Sequence, residues 1–197
     1  MLPEKFTLFV IDCQNDITKE DGAIYVPTSE SAVKHICEFI NENKDRIDRA
    51  ILAKSNHPEN YCMFKNHGGG YPKNCVADTY GSKIDERVID VLNKCNINYF
   101  ELNHGEVSDF PETSVSKYSH RISESFILGT ATHAHQVFTD DIVVCGMIGD
   151  SMVNDTIIDL SNQFKHENIH VFLNGVANVN QDTILNTLET YHDIDIC

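Results

Sequence analysis

The stretch that decides the fold is residues 141–160, which read DIVVCGMIGDSMVNDTIIDL. The stretch begins with a β-branched run that stops at glycines, and it continues with apolar residues that recur at helical spacing. This pattern predicts a strand, a tight turn and a helix. In an open parallel sheet such a turn lies at the carboxyl end of a strand, where ligands bind and helix N-termini present free N–H groups. We therefore expect the function to reside near residues 146–152.

The composition of the chain limits its domain count and its partners. With 197 residues, of which 41% are hydrophobic, the chain is long enough for one buried core and short for two, so we expect a single domain over residues 1–197. The 15 Lys and Arg residues stand against 30 Asp and Glu residues, which gives a formal charge of −15. This charge would repel nucleic acid and anionic membranes, and we expect neither as a partner.

The cellular compartment is predicted from the N-terminus and the cysteines. No apolar run approaches the roughly 18 residues of a membrane span, and residues 1–5 enter a strand without the pattern of a signal peptide. The cysteines are scattered and include no Cys-x-x-Cys pair, which favours reduced, buried thiols over a zinc cluster. A cytoplasmic protein is predicted.

Strands and helices alternate along the rest of the chain. Residues 6–12 form a near-continuous apolar run that ends in a carboxylate, as expected of a central parallel strand. Further strands are predicted at residues 50–54, 97–102, 169–173 and 194–197, and helices at residues 28–40, 82–92, 121–136 and 182–191. This order predicts an α/β fold, a three-layer sandwich with a mostly parallel sheet of five or six strands and helices on both faces.

A long irregular stretch, residues 55–81, follows the second predicted strand. It holds His57, His67 and the glycine run 68–70. Long loops inside a compact domain are usually functional or disordered. We interpret the glycine run as a flexible turn over a pocket, because no strand precedes it and no helix N-terminus follows it directly.

Four separated motifs resemble the isochorismatase-like cysteine hydrolases and, within them, the nicotinamidase branch. They are residues 10–16 (VIDCQND), residues 56–58 (NHP), residues 71–76 (YPKNCV) with Thr79 and Gly81, and residues 146–156 (GMIGDSMVNDT) with Asp159. Their order and spacing cover nearly the whole chain. The resemblance implies the isochorismatase-like hydrolase fold over a single nicotinamidase-like domain.

The resemblance also implies a mechanism for the family. An Asp ends the first strand, a Lys follows the third, and a nucleophilic Cys begins the helix after the fourth. The Asp accepts the thiol proton, and the helix N-terminus and the Lys favour the thiolate. Backbone N–H groups form an oxyanion hole, so an amide is cleaved through an acyl-thioester. A divalent metal held by an Asp, two His and waters anchors the pyridine nitrogen of nicotinamide.

This chain departs from the family at two of those catalytic positions. Asp12 matches the base, but the nucleophile position holds Met152, whose thioether has no proton to lose. The lysine position falls on His104, which is either a cationic substitute or a polar loop histidine. Ser151 and Cys145 are poorer nucleophile candidates. A helix turns about 100° per residue, which should aim Ser151 away from Asp12, and Cys145 lies on the preceding strand.

The metal positions depart as well, since they fall on Ser55, His57 and Asn74. A hydroxyl, one imidazole and an amide make a poor site for zinc, iron or manganese. We therefore expect no cofactor, and a divalent metal would need His67 or Glu59 to reach in.

The pocket positions expected beside these residues are Ile17, Asn56, Gly146, Ile148 and Ser151. Ile17 stands where the family has an aromatic residue, and the chain contains no Trp. A slot for a flat aromatic amide needs stacking partners, so the pattern disfavours nicotinamide as the substrate.

Three hypotheses about function follow from these departures. The first is a catalytically inactive member of the nicotinamidase-like family that binds a small-molecule ligand or a partner. The second is an amidohydrolase with altered machinery, in which Asp12 and His104 act on water and must converge on one pocket. The third is a structural or assembly subunit, because proteins of this fold commonly form dimers and larger oligomers in the family. A homo-oligomer is expected on the same ground.

Overall fold

The computed structural model describes residues 2–104, 141–161, 165–178, 185–186, 188–189 and 193–197. The helix predicted over residues 121–136 lies outside these ranges. Of the helix predicted over residues 182–191, residues 185–186 and 188–189 are described, and they are helical. Within the described ranges, no helix is long and apolar enough to cross a membrane.

Strands and helices alternate along the described chain as predicted. They are β1 (Phe6–Ile11), α1 (Asn15–Thr18), α2 (Ser29–Glu42), β2 (Ile47–Ser55), a 3-10 turn (Lys65–His67), α3 (Glu86–Lys94), β3 (Tyr99–His104), β4 (Ile142–Met147), a π-helical turn (Gly149–Val153), α4 (Asn154–Ser161), a second 3-10 turn (His166–Asn168), β5 (Ile169–Ala177) and β6 (Asp195–Ile196). The strands form one six-stranded sheet in the order β3-β2-β1-β4-β5-β6, and every neighbouring pair is parallel. The predicted α/β fold class is confirmed.

The central strand β1 divides the apolar core into two layers. All of its residues are buried, and successive side chains of a strand point to opposite faces of the sheet. Leu8 and Val10 pack in a cluster with apolar residues of α2 and α3, whereas Phe9 and Ile11 pack in a cluster with those of α4. Helices therefore cover both faces of the sheet, which gives the three-layer sandwich.

The start of α3 differs from the prediction. The sequence pattern places the helix cap at Ser82, but the helix begins at Glu86 with Asp85 as its cap. Ser82 is engaged in the preceding loop, where its hydroxyl donates to the carbonyl of Thr79. The carboxylate of Asp85 accepts the backbone N–H of Arg87 at 3.0 Å, as a capping side chain does. The prediction from Ser82 was wrong because the hydroxyl caps a turn instead.

Two backbone positions bring the ends of β1 and β4 together. Gly146 has φ +130°, and a Cβ added there would collide with the carbonyl oxygen of Ile11 on the neighbouring strand. Asp12, which directly follows β1, also has a positive φ of 45°. Such conformations are costly for residues other than glycine and are commonly found at functional sites. The chain thus turns sharply at the carboxyl edge of the sheet, beside the ends of two adjacent strands.

Candidate functional site

A cavity of about 100 Å³ lies at this edge of the sheet. It is smaller than the roughly 300–1,000 Å³ that is usual for sites of drug-sized ligands. The predicted site residues in its wall are Asp12, Ile17, Ser55, His57, Asn74, Ile148, Ser151 and Met152. Sequence positions that are far apart are therefore brought together on one small cavity.

The remaining predicted residues, Asn56, Gly146 and His104, lie outside the lining of this cavity. Asn56 follows β2, and its backbone N–H donates to the carbonyl of His104. Gly146 is covered by β1, as its close approach to Ile11 requires. His104 is buried at the end of β3, and in the described part of the chain its side chain is linked to the cavity through its bond to Asp12.

Asp12 is the buried centre of the polar side of the site, and 1% of its surface is exposed. Its Oδ1 accepts the backbone N–H of Ser55 at 3.0 Å and lies 2.7 Å from Nε2 of His104. The hydroxyl of Ser55 lies 3.5 Å from Oδ2. An ionised carboxylate only accepts hydrogen bonds, so a hydrogen bond between these two atoms requires the proton on Nε2 of His104.

His104 occupies the position that the family resemblance gives to a lysine. Its side chain is almost fully buried, and its Nδ1 has no hydrogen-bond partner among the residues that the structure describes. A protonated imidazole would provide the positive charge that a lysine provides, and a neutral one would only orient Asp12. The second hypothesis requires Asp12 and His104 to converge on one pocket; their side chains meet, but only Asp12 lines the cavity.

Met152 lies in the cavity wall at the position of the family nucleophile, on the π-helical turn between β4 and α4. It is 6% exposed and belongs to the apolar cluster that contains Val153. The backbone N–H of Val153 bonds to the carbonyl of Ile148, five residues earlier, which makes the turn wider than an α-helical one. The spacing of this turn therefore differs from that of an α-helix, and Ser151 lines the cavity with Met152.

The cysteines near the site do not provide a substitute nucleophile. Cys145 is buried on β4, and burial raises the pKa of its thiol far above the ordinary value. Burial also raises the pKa of the Cys75 thiol, and the charges of Asp12 and Asp16 raise it further. Neither thiol is in the described lining of the cavity. A reactive thiolate requires the opposite conditions, namely partial exposure and nearby positive charge.

The three metal positions share the cavity but do not form a fitting donor set. The His57 ring stacks on Tyr61, with centroids 4.1 Å apart, and the Asn74 side chain donates to the carbonyl of Pro72. His67 and Glu59 are exposed and lie outside the described lining. No group of three or more metal-ligating His, Cys, Asp or Glu side chains occurs in the described ranges. A set of one imidazole, one hydroxyl and one amide does not match the usual sites for zinc or iron.

Two side chains that hold the site in place, the buried Gln14 and the partly buried Asp16, were not predicted to have this role. Gln14 donates to the carbonyls of Ser55 and Ser82, at 2.7 and 2.8 Å, and accepts the N–H of Ser55 at 2.8 Å. Asp16 accepts the backbone N–H of Cys75 at 2.6 Å and that of Ala23 at 3.3 Å. Both residues follow Asp12 in the first motif. A run of polar residues directly after a buried strand was the feature of the sequence that could have revealed their role.

An aromatic wall, defined here as Tyr61, Phe64 and Tyr71, was also missed. The rings of Tyr61 and Phe64 meet edge to face, with centroids 5.4 Å apart. Tyr71 is 47% exposed at the rim, and its backbone N–H bonds to the carbonyl of Met63. This bond closes a short loop over residues 63–71, and the glycine run 68–70 lies within it. The aromatic residues themselves were the signal, but residues 55–81 have no periodicity that would have placed them.

Comparisons with known proteins agree with this architecture. No family model matches the chain. It is 24% identical over 162 residues to the nicotinamidase of Saccharomyces cerevisiae, which covers 64% of this chain and 74% of that protein.

Solved structures with the same fold cover nearly the entire chain. A pyrazinamidase of Pyrococcus horikoshii in complex with zinc matches with a TM-score of 0.73 and 20% identity over 99% of both chains. PnC1 from L. infantum in complex with nicotinate matches with a TM-score of 0.75 and 20% identity, over 98% of this chain and 92% of that one. An isochorismatase-like hydrolase from Alkaliphilus metalliredigens matches with a TM-score of 0.68 and 16% identity, over 98% and 93% of the two chains.

Proposed function

We propose that this chain, whose motifs and relatives point to the nicotinamidases and pyrazinamidases among the isochorismatase-like hydrolases, binds a small molecule without cleaving it through a thioester. One observation carries the proposal. Met152 lies in the wall of the same cavity as Asp12, at the position where the resemblance calls for the nucleophilic thiol.

The chemistry of a thioether explains why this substitution matters. Covalent amide cleavage needs a nucleophile that loses a proton and then carries a neutral acyl group. Methionine sulfur has no proton to give to Asp12 and would form a charged sulfonium on acylation. Asp12 is already engaged as an acceptor by Ser55 and His104. The base is therefore retained without the group on which it would act.

The rest of the cavity favours binding over catalysis. The donor set of Ser55, His57 and Asn74 does not fit the metal that the resemblance implies, so no step is assigned to a metal. The aromatic wall and the isoleucines of the lining provide apolar contact, and a few polar groups face them. A mostly apolar cavity with a few convergent polar groups is the usual form of a small-molecule site.

The proposal is tested by ammonia release from nicotinamide, pyrazinamide and a panel of other small amides. The unmodified protein and Asp12→Ala are assayed side by side, with and without added zinc, iron or manganese. We expect both proteins to give the same background rate under every condition. Hydrolysis by the unmodified protein that disappears in Asp12→Ala would overturn the proposal.

A second candidate function is hydrolysis by a water molecule that Asp12 and His104 activate. The 2.7 Å separation of Asp12 Oδ1 and His104 Nε2 favours it, because a base within hydrogen-bond reach of an orienting group is a common catalytic arrangement. This candidate predicts activity that is lost in Asp12→Ala and His104→Ala and retained in Met152→Ala. Loss of activity in Met152→Ala alone would contradict it.

Assembly into a homo-oligomer stays a prediction, as do the expected lack of nucleic-acid and membrane partners and the cytoplasmic compartment. Sedimentation at increasing protein concentration tests the assembly. A species of constant monomer mass up to high concentration would contradict it.

A further inference from the structure

The three metal positions of the resemblance are held in one place by backbone hydrogen bonds. The N–H of His57 donates to the carbonyl of Cys75 at 3.0 Å, and Asn74 directly precedes Cys75. At Ser55, the backbone N–H and the carbonyl are both bonded to the side chain of Gln14. Ser55, His57 and Asn74 are each 7% exposed and line the same cavity. The backbone framework of the three positions is therefore fixed, whereas two of the side chains differ from the ligands that the resemblance implies.

The side chains of Ser55 and Asn74 have hydrogen-bonding groups available for a ligand. The Ser55 hydroxyl lies 3.5 Å from Oδ2 of Asp12, and with Asp12 ionised the hydroxyl donates and keeps its lone pairs as acceptors. Nδ2 of Asn74 donates to the carbonyl of Pro72 at 2.8 Å, which is the one hydrogen bond of this side chain among the described residues. Its Oδ1 and its second amide hydrogen remain. A neutral group that both donates and accepts, such as a hydroxyl, is the complement of these two side chains.

The same two side chains are poor ligands for a divalent metal. Zinc and iron sites in proteins are built from thiolates, imidazoles and carboxylates. The hydroxyl of Ser55 and the carboxamide of Asn74 are neutral, and of the three positions only His57 has a side chain of the usual kind. This chemistry favours direct hydrogen bonds to a ligand at this place.

We propose that the metal position is a metal-free subsite in this chain, at which Ser55 and Asn74 bind a hydroxyl or N–H group of the ligand directly. The inference rests on the proposed binding function and specifies its ligand class. The ligand carries a hydrogen-bond donor at the place where the resemblance implies a metal-bound ring nitrogen. A nitrogen that only accepts would leave the two oxygens of the subsite without a proton to share, and unpaired buried acceptors are costly.

Zinc binding tests the metal-free part of the proposal, with the metal alone as the probe. Titration calorimetry on the full chain compares the unmodified protein, the double variant Ser55→Asp with Asn74→His, and Asn74→His alone, which adds no carboxylate beside Asp12. We expect the unmodified protein to bind zinc weakly, in a way that His57→Ala does not change. The double variant should bind at least about 100-fold more tightly, because a carboxylate and two imidazoles then share the framework. Asn74→His alone should have intermediate affinity, and His57→Ala should abolish both gains.

Three small amides with a six-membered ring test the ligand class. At the ring position in question, nicotinamide has an acceptor nitrogen, benzamide has a C–H and 3-hydroxybenzamide has a hydroxyl on the ring carbon. We expect the unmodified protein to bind 3-hydroxybenzamide about ten-fold more tightly than benzamide, as neutral hydrogen bonds allow. Nicotinamide should bind no more tightly than benzamide, with or without added zinc.

Variants then assign the preference to the two side chains. Asn74→Ala and Ser55→Ala should each reduce the preference for 3-hydroxybenzamide over benzamide to about two-fold. Asn60→Ala is the matched amide control, because Asn60 is exposed and lies outside the described lining. Thermal unfolding of each variant checks that the fold is intact, and the two alanine variants provide independent tests.

The outcomes separate this inference from the function on which it rests. Tight zinc binding by the unmodified protein that His57→Ala abolishes would overturn the inference, as would folded Asn74→His and double-variant proteins that gain no zinc affinity. A preference for nicotinamide over benzamide, equal binding of benzamide and 3-hydroxybenzamide, or failure of all three to bind would overturn the ligand class. Ammonia release from nicotinamide that depends on Asp12 would instead overturn the proposed function.

Discussion

The two sides of the cavity differ in how their residues are held. After β1, the polar side chains of Asp12, Gln14 and Asp16 each bond to backbone groups at the end of β2 or in the loop that follows it. After β4, Met152 lines the same cavity, and its side chain is held by packing within an apolar cluster. The hydrogen-bonded residues after β1 therefore fix the architecture of the cavity, whereas the residue at position 152 determines whether a nucleophile is present. The nucleophile position can therefore change while the architecture of the site remains.

The largest expected effect is on the hydrogen-bonded side. Gln14→Ala removes the side-chain amide that donates to the carbonyls of Ser55 and Ser82, and Gln14 is fully buried. Each buried polar group left unsatisfied costs about 1–3 kcal/mol, so the free energy of unfolding should fall by about 3 kcal/mol. Chemical denaturation measures this change. The exposed Asn60→Ala is the matched amide control, expected within about 0.5 kcal/mol of the unmodified protein. A loss below about 1 kcal/mol for Gln14→Ala would show that the network does not hold the site.

A second prediction concerns Asp85, which extends the hydrogen-bonded region to the start of α3. Burial works to raise the pKa of Asp85, but hydrogen bonds from Arg87 and Thr18 outweigh it and lower the pKa from 3.8 to about 2. The stabilisation is therefore fully present above about pH 4 and is lost as the pH falls towards 2. The shift corresponds to about 2 kcal/mol.

Denaturation curves between pH 5 and pH 2 test this prediction. Asp85→Asn should be less stable at neutral pH and should lose less stability on acidification than the unmodified protein. Glu30→Gln, which removes an exposed partner of Arg87, should change the acid profile much less. An equal fall in the free energy of unfolding between pH 5 and pH 2 for Asp85→Asn and the unmodified protein would contradict the assignment of the acid-sensitive stability to Asp85.

The smallest effect is expected on the apolar side. Met152→Leu conserves volume and apolar character in a packed cluster, and such exchanges usually cost less than about 1.5 kcal/mol. Thermal unfolding and denaturant titration should both show a small change. A fall in the free energy of unfolding of more than about 2 kcal/mol would mean that the thioether is needed for the fold. It would contradict the view that only the hydrogen-bonded side of the cavity holds its architecture.

Much of the fold could be predicted because its signals are local. The apolar run of β1 and the strand-to-helix pattern after Asp141 require only side-chain periodicity. The cap of α3 was misplaced because Ser82 and Asp85 are both good caps, and only the loop contact of Ser82 decides between them. The π-helical turn at Met152 was not predictable from spacing, because apolar residues at helical spacing do not distinguish a π-helical turn from an α-helical one.

The site was predictable only in part. Asp12, Met152 and the three metal positions followed from motif spacing, and they line one cavity as expected. The aromatic wall could not be predicted because it lies in an aperiodic loop whose path depends on long-range hydrogen bonds such as that of Asp16 to Cys75. The motifs thus located Asp12, Met152 and the metal positions, and they include Tyr71, but they did not reveal that Tyr61, Phe64 and Tyr71 form a wall of the same cavity.

The most direct test of the account is ammonia release from nicotinamide by the unmodified protein and by Met152→Cys, measured side by side. The account predicts no release by the unmodified protein, because a thioether has no proton to lose and cannot carry a neutral acyl intermediate. Activity in Met152→Cys alone would place the loss at that single side chain of the cavity wall. Release by the unmodified protein that Asp12→Ala abolishes would contradict the account.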